Sequence, residues 1–264
     1  MTAARPGAAD EAPSLRERLV AGDFLFATFV KTTSHQTVEV LAATGLDTLV
    51  LDAEHAPFGP ESLDRSLLAA RACALPVLVR VPYPRGAAIQ QALDMGAAGV
   101  MVPHVDSAAI ALEVVRAARY GGTRGYSASP RAGGYGQRSM ADHLRLSDAH
   151  TAVIVQIESG EAVAQAREIA AVPGVDCLFV GPADLAVSLG ADGPGDPRVA
   201  EAIARVCAAG RATQCAVGCF VSDAAQVAGL RALGIAFFVV GSDQALLRAA
   251  ARQAMAGALE SIAA

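Results

Sequence analysis

Residues 77–105 read VLVRVPYPRGAAIQQALDMGAAGVMVPHV, and they contain two short apolar runs separated by a stretch with helical spacing. The runs VLVRV and GVMVPHV are rich in β-branched residues and show no polar alternation, which is typical of strands buried on both faces. A strand, a helix and a second strand in this order pair the two strands in parallel. The segment therefore predicts an α/β fold built on a parallel sheet.

The same unit repeats along the whole chain of 264 residues. An eightfold α/β barrel needs about 250 residues, so the length suits one such domain. We predict a (β/α)8 TIM barrel over residues 14–264, with a short leading helix over 14–22 and a disordered tail over 1–13. The eight predicted strands contain residues 26–30, 47–53, 76–81, 99–105, 152–158, 177–181, 216–221 and 236–241.

The composition favours a small-molecule partner. Hydrophobic residues make up 53% of the chain, charged residues make up 18%, and the net charge is −5. Without a cluster of Lys and Arg residues, neither nucleic acid nor an anionic membrane would be attracted electrostatically. No apolar stretch has the length of a membrane span, and the first residues lack the pattern of a signal peptide. We therefore expect a cytoplasmic protein without nucleic-acid or membrane partners.

The cysteine pattern agrees with a reducing compartment. Five cysteines are an odd number, and their spacing matches no zinc finger or ribbon. Cys215 and Cys219 could in principle chelate a metal or cross-link, but free cysteine usually packs as a small hydrophobic residue. We interpret all five as buried thiols, namely Cys73, Cys177, Cys207, Cys215 and Cys219.

Two carboxylates end neighbouring predicted strands. In barrels of this kind the active site lies at the carboxyl ends of the strands, where Glu158 and Asp184 stand. Each could give an oxygen to one hard divalent cation, which favours Mg²⁺ or Mn²⁺ and leaves Co²⁺ or Zn²⁺ open. Alternatively, Glu158 pairs with a barrel arginine, and Asp184 caps a helix that begins at Leu185.

Two basic side chains at the same end of the barrel complete a candidate site. Arg80 lies within an apolar strand, where it could hold a carboxylate or a developing enolate oxygen. The alternative for Arg80 is a structural ion pair with Glu158 or Asp52. His55 titrates near neutrality and suits general base chemistry, although it could equally be a hydrogen-bonded structural histidine.

Two further features bear on the mechanism. Lys31 is the only lysine and follows the first predicted strand, so any Schiff-base mechanism would have to use it. The segment 121–136 contains six glycines and interrupts the repeat of strands and helices. It does not form the strand-to-helix turn of a dinucleotide site, and we interpret it as a loop near the active site.

Five strings, taken together, resemble the pyruvate-dependent class II aldolases. They are LVLDAEHAPFGPESL (49–63), the segment 77–105 quoted above, GTRGYS (122–127), VIVQIES (153–159) and VDCLFVGPADLAVSLG (175–190). This is the HpcH/HpaI aldolase family, which includes 4-hydroxy-2-oxoheptanedioate and 2-dehydro-3-deoxyglucarate aldolases. The similarity begins near residue 20 and continues to the end of the chain.

The resemblance implies a role for each matching residue around the metal. Glu158 and Asp184 match the metal ligands of the family, and pyruvate would chelate the metal through its carboxylate and keto oxygens. Gln156 would hold the pyruvate or a metal-bound water. The substrate carboxylate would also touch the backbone around Gly181, Pro182 and Ala183.

The resemblance also implies the catalytic residues and an oligomer. Arg80 matches the arginine that stabilises the enolate, and His55 matches the catalytic histidine. An aspartate from a neighbouring subunit pairs with that histidine in the family, and Asp94 is the matching residue. The family forms homo-oligomers, a trimer or hexamer, in which the C-terminal helix is exchanged between subunits.

The implied reaction is reversible cleavage of a 4-hydroxy-2-oxo acid to an aldehyde and pyruvate, or a close 2-oxo acid such as hydroxypyruvate. The metal and Arg80 would stabilise the enolate, so that no imine on Lys31 is needed. Residues such as Lys31 depart from the best-known members and would surround the aldehyde. Two alternatives remain, a carbon–carbon lyase acting on a malyl- or citramalyl-type coenzyme A thioester, and a non-catalytic barrel that only binds a metabolite.

Overall fold

The computed structural model describes residues 12–84 and 86–263 and confirms the predicted (β/α)8 TIM barrel. Eight parallel strands close into a barrel in sequence order, with β8 pairing to β1. The predicted disordered tail over 1–13 lies almost wholly on residues 1–11, outside the described residues. The strands are β1 Leu25–Val30, β2 Leu49–Asp52, β3 Val77–Arg80, β4 Gly99–Val102, β5 Ala152–Ile157, β6 Cys177–Val180, β7 Ala216–Val221 and β8 Phe237–Ser242.

Helices follow each strand, and one helix precedes them. The leading helix begins at a capping box in which Ser14 and Glu17 bond each other's backbone N–H, so the predicted helix over 14–22 is confirmed. The helices are α1 Leu15–Ala21, α2 His35–Ala42, α3 Pro60–Ala72, α4 Gly86–Asp94, α5 Ala108–Ala118, α6 Met140–His150, α7 Gly160–Ala164, α8 Ala166–Ala170, α9 Pro182–Ser188, α10 Pro197–Thr213, α11 Gln226–Ala232 and α12 Asp243–Ala263.

The strands bury both of their faces, as their continuous apolar runs predict. Inside the barrel, large side chains such as Met101, Phe179 and Phe237 form one core. Outside it, branched residues such as Val155 and Leu178 pack against the helices in a second core. The interior is therefore packed with side chains, and a ligand has room only at the barrel ends.

The glycine-rich segment lies away from the carboxyl ends of the strands, which corrects the sequence-based interpretation. It follows α5, and a loop that follows a barrel helix returns to the amino ends of the strands. There Gly125 N–H donates to the side chain of Gln90, and Arg131 donates to the carbonyl of Met95 near the end of α4. The loop therefore lies opposite the candidate site of its own chain.

The interpretation of all five cysteines as buried is wrong for Cys73. This residue is the C-cap of α3 and its side chain is exposed, because the chain turns there at the protein surface. Cys215 is half-buried, and the other three are buried. Burial raises the pKa of Cys207 to about 11 and the pKa of Cys219 to about 12, so these thiols are protonated near neutrality.

The C-terminal helix is exposed along most of its length. Residues 246–262 of α12 are exposed, and five of them are large and apolar. Helix α11, which precedes α12 in the ring of helices, has no buried residue. No helix among the described residues is long and apolar enough to cross a membrane. The exposed apolar residues of α12 are Leu246, Leu247, Met255, Leu259 and Ile262.

Candidate active site

Arg80 and Asp52 form a buried ion pair at the carboxyl end of the barrel. The two residues are opposite each other in the register of β2 and β3, so their side chains lie side by side. Arg80 Nε donates to Asp52 Oδ1 at 2.9 Å, and Nη2 donates to Oδ2 at 2.7 Å. The guanidinium also stacks over the Phe29 ring, 4.4 Å from its centroid. One of the two structural partners foreseen for Arg80 is therefore present, and it fixes the plane of the guanidinium.

The partnership with Arg80 keeps Asp52 ionised. Burial alone would raise the pKa of this carboxyl, but the hydrogen bonds and charge of Arg80 outweigh burial and hold the pKa below its ordinary value. Lys31 adds to the effect, since its Nζ lies 3.4 Å from Asp52 Oδ2. The Asp52 carboxylate therefore carries a fixed negative charge beneath the site.

Glu54 and His104 join this centre, although sequence reasoning gave them no role. Glu54 Oε2 lies 3.1 Å from Arg80 Nη1, but within the described part of the chain it has no partner with hydrogen-bond geometry. His104 has a positive φ of 56°, which places its ring between two carboxylates. Its Nε2 is 3.4 Å from Glu54 Oε1, and its Nδ1 is 3.1 Å from Glu158 Oε1. In the sequence, only the position of both residues at the ends of predicted strands pointed to the site.

Glu158 is buried and surrounded by other acidic groups. Its Oε1 accepts the backbone N–H of His104 at 2.8 Å, and its Oε2 accepts from Gln156 Nε2 at 2.8 Å. Burial raises the pKa of Glu158, and the Glu54 and Asp184 carboxylates act in the same direction, whereas the N–H of His104 opposes them. Oε1 of Gln156 is buried without a hydrogen-bond partner in the described part of the chain. Glu158 does not pair with Arg80.

Asp184 approaches Glu158 across Gly181. A methyl group at Gly181 would lie 3.4 Å from Glu158 Oε2 and 3.7 Å from Asp184 Oδ2, so both carboxylates border the same small space. Helix α9 begins at Pro182 with Gly181 as its N-cap, so Asp184 is in the first turn and does not cap a helix at Leu185. Among residues 12–84 and 86–263, no group of three or more His, Cys, Asp or Glu side chains could hold a metal ion. A cation bound by Glu158 and Asp184 alone would have most of its coordination positions free for water or substrate.

A cavity of 340 Å³ opens above these groups, within the size range of small-molecule sites. Arg80, Gln156 and Asp184 line one side of it, and Phe29, Phe179 and Phe220 form an apolar floor. Further lining residues lie at the ends of β1, β7 and β8 or directly after these strands. These are Lys31, Ser222, Gly241, Ser242, Ala245 and Arg248.

The structure brings together all the predicted site residues except Asp94. His55 lines the cavity with its ring half-exposed, and its Nε2 is 3.8 Å from Glu54 Oε2. Asp94 is the last residue of α4, at the amino end of the barrel, where its Oδ1 accepts from Arg124 Nη2 at 2.8 Å. Within one chain Asp94 therefore lies far from His55, and a pairing between them requires a second subunit.

Comparisons with known proteins identify the family of the chain. The family model described as HpcH/HpaI aldolase/citrate lyase matches residues 25–250. A hydroxypyruvate/pyruvate aldolase from Paraburkholderia phytofirmans is 38% identical over 252 residues, which are 91% of this chain and 95% of the relative. A 5-keto-4-deoxy-D-glucarate aldolase from Shigella boydii is 36% identical over 220 residues, 82% of this chain and 85% of the relative.

Among solved structures, an HpcH/HpaI aldolase/citrate lyase family protein from Burkholderia cenocepacia superposes with a TM-score of 0.88 at 38% identity. The match covers 92% of this chain and 98% of that one. The residues that the family model matches include every strand end that builds the cavity. The chain belongs to the HpcH/HpaI aldolase/citrate lyase family and is a carbon–carbon lyase of the aldolase type.

Proposed function

We propose that the protein is a divalent-metal-dependent aldolase that cleaves a 4-hydroxy-2-oxo acid into an aldehyde and pyruvate or hydroxypyruvate. The observation that carries the proposal is the placement of Glu158 and Asp184 on either side of Gly181, at one side of a cavity that Arg80 and His55 also line. The name of the relative from Paraburkholderia phytofirmans supports both 2-oxo acids as candidates.

The charges around the cavity fit a divalent cation. Four carboxylates lie around the cavity against three permanently charged cations, which leaves one negative charge without compensation: Asp52, Glu54, Glu158 and Asp184 against Lys31, Arg80 and Arg248. Carboxylate oxygens favour Mg²⁺ or Mn²⁺, and Co²⁺ or Zn²⁺ are alternatives. Glu158 and Asp184 would hold the cation, which supplies the Lewis acidity that polarises the 2-oxo group of the substrate.

The turn into α9 offers a place for the substrate carboxylate. The N–H of Gly181 already donates to the carbonyl of Ile157, and Pro182 has none. The N–H groups of Ala183 and Asp184 belong to the first helical turn, where no intrahelical acceptor exists. The free Oε1 of Gln156 accepts a hydrogen bond from the substrate hydroxyl or from water, which satisfies a buried polar atom.

Arg80 and His55 carry the charge and the proton in this mechanism. Arg80 is held in place by Asp52 and presents its remaining N–H donors to the cavity, where they stabilise the enolate oxygen. His55 takes the proton of the C4 hydroxyl, directly or through water, while the C3–C4 bond breaks and its electron pair passes towards the 2-oxo oxygen. Return of a proton to C3 releases the 2-oxo acid.

The proposed enzyme is a homo-oligomer, a trimer or hexamer, in which α12 is exchanged and Asp94 pairs with His55 of another subunit. The exposed apolar side chains of α12 and the absence of buried residues in α11 support the exchange, because large exposed apolar surfaces mark interfaces. Co-assembly of His55→Ala and Asp94→Ala subunits should restore about a quarter of the sites if the subunits mix at random. If activity stays at the level of the separate variants, Asp94 does not act across the interface.

We also propose that the protein works in the cytoplasm on small molecules alone. The five cysteines are free thiols, which supports a reducing compartment. The net charge of −5 offers no attraction for nucleic acid. Fractionation of cells that express the chain at its natural level, with activity measured in each fraction, tests the location.

Enolate formation can be tested by proton–deuterium exchange at the methyl group of pyruvate in D₂O, followed by NMR. We expect exchange that EDTA abolishes, that Mn²⁺ or Mg²⁺ restores, and that Glu158→Gln removes. Arg252→Gln is the matched control, since Arg252 is exposed and does not line the cavity. Exchange that survives EDTA but not Lys31→Met would replace the metal mechanism with an imine, and no exchange under any condition would reject enolate chemistry.

A further inference from the structure

Arg124 is a buried arginine that holds a carboxylate at the surface, at the amino end of the barrel. Its side chain is 1% exposed, whereas the side chain of its partner Asp94 is 21% exposed. Arg124 Nη2 donates to Asp94 Oδ1 at 2.8 Å, and Asp94 Oδ2 accepts no hydrogen bond from residues 12–84 and 86–263. The arginine therefore fixes one oxygen of the carboxylate and leaves the other oxygen for a group from outside these residues.

The guanidinium of Arg124 is itself held by two further contacts. Its Nη1 donates to Ser147 Oγ at 3.0 Å, and its plane lies over the Tyr120 ring, 4.4 Å from the centroid. Its Nε is buried without a hydrogen-bond partner in the described part of the chain. Burial of an arginine with an unsatisfied N–H is costly, and Asp94 could be solvated without it. We therefore expect the pair to serve the orientation of Asp94 more than the stability of the fold.

The loop that carries the arginine is fixed to the helices on both sides of it. A Cβ at Gly122 would collide with the backbone carbonyl of Arg116, so the turn after α5 lies directly against the end of that helix. Gly125 N–H donates to the side chain of Gln90 at 3.3 Å. Gln90 lies one turn before Asp94 on the same face of α4. The loop and the carboxylate therefore keep a fixed relation to each other.

We propose that Arg124 is a positioning residue, which holds Asp94 so that its free oxygen accepts a hydrogen bond from His55 of another subunit. The inference rests on the proposed function, in which Asp94 and His55 pair across an interface. A histidine that acts as a base keeps one ring nitrogen for the reacting proton. A fixed acceptor on the other nitrogen holds the ring in that tautomer and orientation. Arg124 touches neither the substrate nor His55, and it acts only through Asp94.

The first part of the test is a double-mutant cycle. Arg124→Gln should lower kcat/KM by roughly 10- to 100-fold, because a loosely held Asp94 no longer orients His55. In the Asp94→Ala background the same substitution should have no further effect, since the group that it positions is gone. Arg124→Lys should retain part of the activity, and it carries the same comparison if Arg124→Gln does not fold. Arg119→Gln is the matched control, because Arg119 pairs with Asp176 at the same end of the barrel, and it should leave the kcat/KM of folded enzyme unchanged.

Mixed oligomers give a second readout, which a purely structural role would not move. Co-assembly of Arg124→Gln with His55→Ala subunits should exceed the mean activity of the separate variants, because the His55→Ala subunit supplies an intact pair of Arg124 and Asp94. Co-assembly of Arg124→Gln with Asp94→Ala subunits should show no such gain, since neither subunit supplies that pair.

Two results would overturn the proposal. One is an equal loss from Arg124→Gln in the wild-type and Asp94→Ala backgrounds. The other is no gain with His55→Ala subunits when the mixture of His55→Ala with Asp94→Ala does gain activity, because only the positioning role then fails. If neither mixture gains activity, the pairing across subunits fails and the inference falls with it. Pyruvate deuterium exchange in the wild type separates all of these outcomes from failure of the aldolase function itself.

Discussion

Two buried clusters of charged side chains lie at opposite ends of the barrel, and they differ in how fully their polar atoms are satisfied. At the amino end, Asp176 Oδ1 accepts from Arg16 at 2.9 Å. Its Oδ2 accepts from the N–H of Val153 at 2.9 Å and from Arg119 at 3.3 Å. Two arginines thus surround the Asp176 carboxylate, and both of its oxygens accept hydrogen bonds. We call these residues the closed cluster.

At the carboxyl end of the barrel, by contrast, some of the buried polar atoms are not satisfied. There Glu54 Oε2 and Gln156 Oε1 are buried and have no hydrogen-bond partner among residues 12–84 and 86–263, and the pKa of Glu158 is raised by burial and by its acidic neighbours. Unsatisfied buried polar atoms are destabilising and rare in folded proteins, and these two lie beside the cavity, where a bound ligand would satisfy them. We therefore expect the closed cluster to stabilise the fold, and the cluster at the carboxyl end, called the open cluster below, to act in catalysis.

The largest expected effect comes from exchanging one carboxylate for an amide in each cluster. Glu158→Gln should lower kcat/KM by about 10³-fold or more, because several kcal/mol of metal stabilisation is lost, while the fold is unaffected. Asp176→Asn should reduce the free energy of unfolding by about 2 kcal/mol and leave the kcat/KM of folded enzyme intact. Urea unfolding and steady-state kinetics of both variants test this contrast. It would be refuted if the two substitutions changed stability and kcat/KM in the same way.

A second test asks whether arginine geometry matters more in the open cluster. Arg80→Lys keeps the charge but cannot bond Asp52 through two parallel N–H groups, so we expect kcat/KM to fall about 10²-fold. Arg119→Lys is the matched change at the amino end, where one of the bonds goes to the carbonyl of Thr151. Equal kinetic losses in the two variants would show that the clusters are coupled and not distinct.

A third test probes the space between the two candidate ligands. The backbone of Gly181 is compatible with alanine, and the added methyl would meet its neighbours at ordinary contact distances. It would nevertheless stand between Glu158 and Asp184, so we expect about a 10-fold loss of Mn²⁺ affinity in a folded protein. Gly257→Ala, in the exposed part of α12, is the control. Unchanged Mn²⁺ affinity in titration calorimetry would place the cation elsewhere.

The sequence allowed the barrel to be predicted because every strand is a continuous apolar run flanked by turns. The pairing of Arg80 with Asp52 was open as an alternative, since adjacent strand ends bring such residues together. The role of His104 was not predictable, because it depends on a positive φ that a non-glycine residue rarely adopts. Arg248 was missed since nothing in its helical surroundings distinguishes it from Arg252.

Two sequence-based interpretations went wrong for a shared reason. Cys73 was assigned from its residue type, and the glycine-rich segment from its glycines and its interruption of the repeat, but their positions follow from where α3 and α5 end. A helix that leaves the carboxyl end of one strand must return to the amino end of the next. The direction of the chain therefore carries information that composition does not.

The smallest expected effect concerns Asp52. It belongs to the open cluster, but both of its carboxylate oxygens accept hydrogen bonds from Arg80. Its pKa is lowered in the folded protein, so it binds fewer protons when folded than when unfolded. It therefore adds stability above its unfolded pKa of about 4, and that stability is lost as the pH falls through the lower folded value. Asp52→Asn should unfold at a lower urea concentration than the wild type at neutral pH, and the difference should narrow below about pH 4. A difference that stays constant down to acid unfolding would mean that Asp52 stabilises the barrel by packing and not by its charge.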